Sequence, residues 1–398
     1  AGFGGTPEEI EILLQLGPDK AVSRFFEESK NGLKFEHSGI FDEGLDHFPP
    51  SRPATTNLAK REGQALGINV KSEGNRRLQP IVNKFFYWLR ASRLETDRVA
   101  YWWANRMLSS PYALQEKMAL FWHGHFATNE DKVRDYRKML NQIQLFREKG
   151  LGSFRKLLKD TAQDPAMLVF LDAGVNTADS PNENFAREIM ELFTMGVGNY
   201  SEKDVREAAR AFTGWTVRGT NYYRDETNHD AGAKEFLSFS GNYDGTDIIE
   251  IILSQEQTSE FVAAKIYRYF VNDSISKEGI KKLGNLLSTE DYHIDKFLRT
   301  LFLSKDFYEN AGSHIKSPIE LMISTYKLMG ATAVPGVPDF NEVSQAQRLL
   351  HPPTVAGWSE GKSWITPSLL FERANFVLDV VFPDLNFVPP DRSVSYTH

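Results

Sequence analysis

The reading of the fold turns on residues 180–212, SPNENFAREIMELFTMGVGNYSEKDVREAARAF. Ser180-Pro181-Asn182-Glu183 has the signature of a helix start: a capping hydroxyl, a proline at the first position and a carboxylate three residues on. Phe185, Ile189, Leu192 and Phe193 then recur at helical spacing on one face, and Gly196 and Gly198 close the segment. Ser201-Glu202-Lys203-Asp204 repeats the cap, and Val205, Ala208, Ala209 and Phe212 line a second helix. Two short capped helices, each with one apolar face, can bury those faces only against other elements.

Working outward, the same period continues in both directions. Thr6-Pro7-Glu8-Glu9 starts a helix near the beginning. Residues 83–107 and 114–125 carry aromatic and aliphatic side chains at intervals of three and four. Residues 132–149, 154–160 and 247–287 read as helical, as do 294–307, 318–329, 341–350 and 371–380; Asp164-Pro165 opens a short helix ending near Gly174. There is almost no strand alternation and no internal repeat. The expected fold is therefore mainly α: one large multi-helix domain over residues 1–398, with irregular loops and at most a short β-hairpin. The loops fall at 41–56, a surface excursion with three prolines, at 213–243, where the hairpin belongs, and at 351–370, rich in Pro, Gly and Trp.

The 398 residues include 46 Lys plus Arg against 53 Asp plus Glu, a net charge of −7, which argues against nucleic-acid binding because phosphate partners need a basic surface. The absence of cysteine removes disulfide frameworks, thiolate zinc sites, iron–sulfur clusters and cysteine nucleophiles. Apolar runs such as 248–253 fall far short of the roughly 18 residues that cross a bilayer. The first residue is Ala1 rather than Met, which predicts a natural start further upstream.

Four stretches carry residues that helix packing does not demand. In Phe121-Trp122-His123-Gly124-His125-Phe126, the two histidines share a divalent metal only if Gly124 breaks the helix, since i and i+2 lie about 200° apart on a regular one. The bland reading of His125 is a hydrogen-bonded core residue. On 184–191, Glu188 and Glu191 share a polar stripe with Asn184; they are either solvated or placed in a cavity as acid/base groups, while Arg187 and Glu191 suit an ordinary i,i+4 pair. His229-Asp230, followed by Lys234 and close to Trp215, suits a pocket wall or a self-capping turn. Trp358 and Trp364 sit in loops, either stacking on a substrate or closing a lid over the core. No serine elbow, phosphate loop, dinucleotide fingerprint or HExxH is present.

Several phrases also carry a family resemblance: Ala1–Gly4, 116–126, Asp164-Pro165-Ala166-Met167-Leu168, 182–193, 204–215, His229-Asp230 and Pro352–Trp358. In order and over essentially the whole length, the chain resembles the bacterial domain-of-unknown-function 1800 family. The resemblance implies an exported protein, located in the periplasm, at the cell surface or secreted, and frequently encoded beside a second, sulfatase-like family that is a candidate partner. It implies no activity, but it groups His123, His125, Arg187, Glu188, Glu191, His229 and Asp230.

Two functions follow as expectations. One is a hydrolase acting on a carbohydrate or envelope polymer. Its chemistry would come from acid/base work by Glu188, Glu191, His229, Asp230 and Arg187, or from zinc, manganese or iron at His123 and His125. Trp215, Trp358, Trp364 and Lys234 would hold the substrate. The other is a non-catalytic envelope scaffold or binding module. Convergence of His123, Glu188 and His229 on one cavity is the geometric feature that would favour the first.

Overall fold

The N-terminal cap closes as the sequence predicts: Thr6 Oγ1 accepts from the Glu9 backbone N–H at 3.2 Å, and the Glu9 carboxylate accepts in return from the Thr6 N–H at 3.0 Å. From there the computed structural model, which describes residues 2–30, 79–331 and 347–382, is mainly helical. Among the described residues there are sixteen α-helices and four short strands. The first seven helices are α1 (Pro7–Lys30), α2 (Gln79–Ser109), α3 (Ala113–His125), α4 (Glu130–Val133), α5 (Tyr136–Lys149), α6 (Phe154–Ala162) and α7 (Pro165–Phe170). Then come α8 (Asn184–Glu191), α9 (Glu202–Ala211), α10 (Gly245–Leu253), α11 (Glu256–Phe270) and α12 (Lys277–Thr289). The last four are α13 (Ile294–Phe302), α14 (Lys305–Glu309), α15 (Pro318–Leu328) and α16 (Pro367–Val381). No helix among them is long and apolar enough to cross a membrane.

The centre of the fold is α3. Twelve of its thirteen residues are buried, including Gln115, Glu116, Lys117, His123 and His125. A helix enclosed on all sides must find internal partners for its polar groups, since each one buried unpaired costs on the order of 1–3 kcal/mol. Glu116 receives the Arg147 guanidinium of α5 at 2.9–3.1 Å and the Trp103 indole of α2 at 3.1 Å. Gln115 donates to the Arg147 carbonyl at 2.9 Å, and Trp122 Nε1 to the Gly150 carbonyl at 2.8 Å. Lys117 reaches Glu320 at the start of α15. Around this helix one apolar cluster extends from Phe3 through Trp122, Phe126 and Phe154 to Trp364.

Several local expectations change. The run 132–149 is two helices: Arg134 takes a left-handed φ of 55°, and Asp135 restarts the chain by accepting from the Arg137 N–H. The Ser180–Glu183 box does not form; α8 begins at Asn184, whose N–H is taken by Asn182, while Glu183 pairs with Arg187. Residues 213–243 hold two antiparallel hairpins rather than one, Trp215–Arg218 with Asn221–Arg224 and Lys234–Phe236 with Phe239–Gly241. The second turns at Leu237 and Ser238, both at positive φ (47° and 69°), where a sequence normally signals a turn with Gly or Asn. The excursion at 41–56 and most of the helix expected over 341–350 lie outside the described residues.

Candidate functional site

The residues singled out from sequence fall into separate places. His123 and His125 both remain inside the regular helix α3, so their rings diverge. His123 Nε2 accepts the Leu350 backbone N–H at 3.2 Å, and its ring sits edge-on to Trp103 and Trp358 at 5.7 and 5.1 Å. The lone pair that would bind a metal is thereby used. His125 Nε2 lies 3.0 Å from the Phe193 carbonyl, so it carries the proton and donates, and its ring stacks on Phe121 at 5.9 Å. Burial drives both imidazoles down to about 3, keeping them neutral. Among the described residues no group of three His, Asp or Glu side chains is placed to hold a metal ion, and the two histidines do not fit a shared one.

Arg187 is an ion-pair hub, bound to Glu183 at 3.1 Å and to Glu202 of α9 at 2.8 Å. Glu191 accepts from the Tyr200 hydroxyl at 2.6 Å. Glu188 is half-buried, and burial, then the neighbouring Glu191, raise its carboxyl above the usual range. His229 Nδ1 is 3.0 Å from the Thr213 carbonyl, and Asp230 grips Arg210 at 2.7 and 3.3 Å, which holds its carboxyl low. Lys234 is buried, with its ammonium on the Asp230 carbonyl. Trp215 is enclosed by Phe185, Phe212 and Tyr222. These groups brace α8, α9 and the hairpins. None of His123, Glu188 and His229 lines the cavity formed by the candidates that do meet.

Three of the candidates do meet. His125, Trp358 and Trp364 line a cavity of about 350 Å³ between α3, α11, the start of α15 and the strap of chain from 357 to 364. Gly357 makes the strap possible. Its φ of 90° suits glycine, and a Cβ there would lie 2.1 Å from the Gly124 carbonyl oxygen. The Trp358 indole lies over Gly124, so the glycine between the two histidines serves a packing contact rather than a helix break. Two tethers hold the strap's far end: Lys265 of α11 to Glu360 at 3.2 Å, and the Lys362 backbone N–H to Asp273 at 3.1 Å.

The opposite wall holds residues that the sequence reading missed. Glu320 is the N3 residue of a capping box with Ser317, accepting from the Ser317 N–H at 2.7 Å. The same carboxylate accepts from His314 Nε2, 3.2 Å from each oxygen, and from the Lys117 ammonium. Lys117 also lies 5.1 Å from the centres of the Phe3 and Tyr269 rings. Burial, with Lys316 as a second cation, pulls the Lys117 ammonium down to about 7, while its contact with Glu320 favours the charged form. His314 is pulled down to about 4, first by burial and then by Lys117, so it is neutral at pH 7. Since Nε2 donates, Nδ1 carries the lone pair.

Three residues lining this cavity have a buried polar atom with no hydrogen-bond partner among the described residues: His125 Nδ1, His314 Nδ1 and Trp358 Nε1. By the tautomers above, these are two acceptors and one donor. The capping pattern S-x-x-E was visible at Ser317–Glu320, but it announces a helix start and says nothing of a lysine 203 residues away. No curated protein matches the chain, and no solved structure does. The family model for proteins of unknown function, DUF1800, matches residues 1–396, and the chain belongs to that family.

Proposed function

We propose that the chain is an exported acid–base hydrolase acting on a polyhydroxylated polymer of the bacterial envelope, with the cavity beneath the strap as its site. The observation that carries this reading is the set of unpartnered donor and acceptors on the cavity-lining His125, His314 and Trp358. Buried polar atoms are normally satisfied, and a wall with both acceptors and a donor suits hydroxyl groups, which do both. Export enters through the family resemblance.

In this reading His314 is the general base. Its Nδ1 takes a proton from water as the water's oxygen attacks the scissile bond, and returns that proton to the departing oxygen. Glu320 fixes the tautomer through Nε2–H and stabilises the transient imidazolium, while Lys117 balances the carboxylate charge. Trp358 and Trp364 give the apolar surface on which a sugar face stacks. Neither histidine of the His123/His125 pair acts through a metal here. The test is release of new reducing ends from a panel of bacterial cell-envelope polysaccharides. His314→Gln and Glu320→Gln should each lower the rate by at least about 100-fold, the size expected for an acid/base group. Equal rates in the variants, or no release by the wild-type protein from any polymer, would refute the reading.

A second reading, a non-catalytic envelope component, is supported by a different observation. Leu370, Phe371, Leu378 and Phe382 are exposed on and just after α16, and exposed apolar side chains gathered on one element suit contact with a partner. The sulfatase-like neighbour is the candidate there. Co-purification of the intact chain with that protein, abolished by Phe371→Ser, would favour this reading.

A further inference from the structure

The cavity's charges pair off unevenly. Lys265 is matched by Glu360 at 3.2 Å, and Lys117 behind the wall by Glu320. Asp273 is occupied by the strap's Lys362 backbone N–H. Arg268, one turn beyond Lys265 on α11, lines the same cavity and is half-buried, and its guanidinium has no hydrogen bond or ion pair among the described residues. The Lys362 side chain, from the strap, is the other cavity-lining cation left without an acidic partner among the described residues. The lining itself carries three cations, Lys265, Arg268 and Lys362, and three acids, Asp273, Glu320 and Glu360, but Glu320 is taken by Lys117 and Asp273 by a backbone N–H, so Arg268 and Lys362 are left without a carboxylate partner among the described residues.

Arg268 is half-buried as a residue, but none of its guanidinium nitrogens is fully enclosed, so its charge and five donors stay open to an anion entering the cavity. Its planar fork matches a carboxylate with two parallel hydrogen bonds. Trp358 and Trp364 line the same cavity, so a ligand that meets Arg268 also has aromatic neighbours, which suits a ring rather than a bare ion. Building on the proposed function of the cavity, we infer that Arg268 receives the carboxylate of an acidic sugar, so that the substrate is a uronate-containing rather than a neutral polymer. Arg268 would bind and position the sugar, and the proton transfer would remain with His314.

The test is saturation-transfer NMR titration of the intact chain with D-glucuronate and, separately, D-glucose, repeated on Arg268→Gln, Arg268→Lys and Trp364→Ala. Glucuronate should bind at least ten-fold more tightly than glucose to the wild-type protein. Arg268→Gln should remove that preference, Arg268→Lys should restore part of it, and Trp364→Ala should weaken both sugars alike. Equal binding of the two sugars, or a preference unmoved by Arg268→Gln, would overturn the acidic-sugar assignment while leaving the cavity as a sugar site. Binding of neither sugar would overturn both. Circular dichroism of each variant separates loss of the subsite from loss of the fold.

Discussion

Glu130 should make the protein less stable at neutral pH than its amide counterpart. The residue is buried in α4, its backbone N–H bonded to the Leu350 carbonyl at 3.0 Å, and neither carboxyl oxygen has a hydrogen-bond partner among the described residues. Burial, then Asp135 and Asp131, push its carboxyl up to about 8, with Arg93 and the nearby Asp135 backbone N–H, which does not reach hydrogen-bond geometry, pulling the other way. In the unfolded chain the group ionises near 4.5. Between these values the folded state holds a proton that the unfolded state releases, so stability is greatest in acid and falls as pH rises from 4.5 towards 8. At about 1.4 kcal/mol per pH unit, the loss accumulated by pH 7 approaches roughly 3 kcal/mol. Glu130→Gln keeps the shape and cannot ionise. Urea denaturation should show the variant matching the wild type within about 1 kcal/mol at pH 4.5 and exceeding it by about 2–3 kcal/mol at pH 7. A variant less stable than the wild type at pH 7 would show that Glu130 is ionised and paired in the folded state, and a difference independent of pH would show that folding leaves its ionisation unchanged; either refutes the reasoning.

Gly357→Ala should cost on the order of 1–3 kcal/mol and loosen the strap, since it adds a Cβ 2.1 Å from the Gly124 carbonyl oxygen at a left-handed φ; tryptophan emission and limited proteolysis would report it. Gly124→Ala meets only the Trp358 ring at 3.5 Å and should leave both readouts nearly unchanged. Glu116→Gln leaves the buried Arg147 guanidinium short of its counter-ion and should destabilise by about 3–5 kcal/mol, measured as a shift in denaturation midpoint. His123, at about 3 in the fold, is protonated near 6.5 in the unfolded chain, so its contribution is whole above 6.5 and declines as pH falls towards 3. His123→Asn should be the less stable protein at pH 7.5, and the gap should narrow by about 2 kcal/mol at pH 5, which paired denaturation curves would show.

How far the sequence could be read follows the range of the interactions. Thr6, Asp164, Ser201 and Ser317 announce their helices because a cap involves neighbours only, and each accepts the backbone N–H its position predicts. The restart at Asp135 was hidden because the apolar period runs straight through Arg134, whose left-handed turn involves no Gly. Trp358 and Trp364 could be found because loops give aromatics little reason to be there. His314, Lys117 and Arg268 could not, because only the approach of α3, α11 and α15 gives them a common meaning. Conversely, the contacts that Arg187 and Asp230 make with neighbouring elements could not be read from their spacing, since each joins segments that only the fold brings together, and the buried Lys234 turns back onto the Asp230 carbonyl.

The enclosure of α3 also sets a timetable for folding. Lys117 waits for Glu320, 203 residues later, and His123 for Leu350, 227 residues later. At the usual pace of synthesis, those partners emerge about 10–50 s after the helix does. Throughout that interval the Lys117 ammonium has no carboxylate and the His123 ring no backbone donor, so the helix at the centre of the fold cannot complete its own surroundings until the last part of the chain arrives.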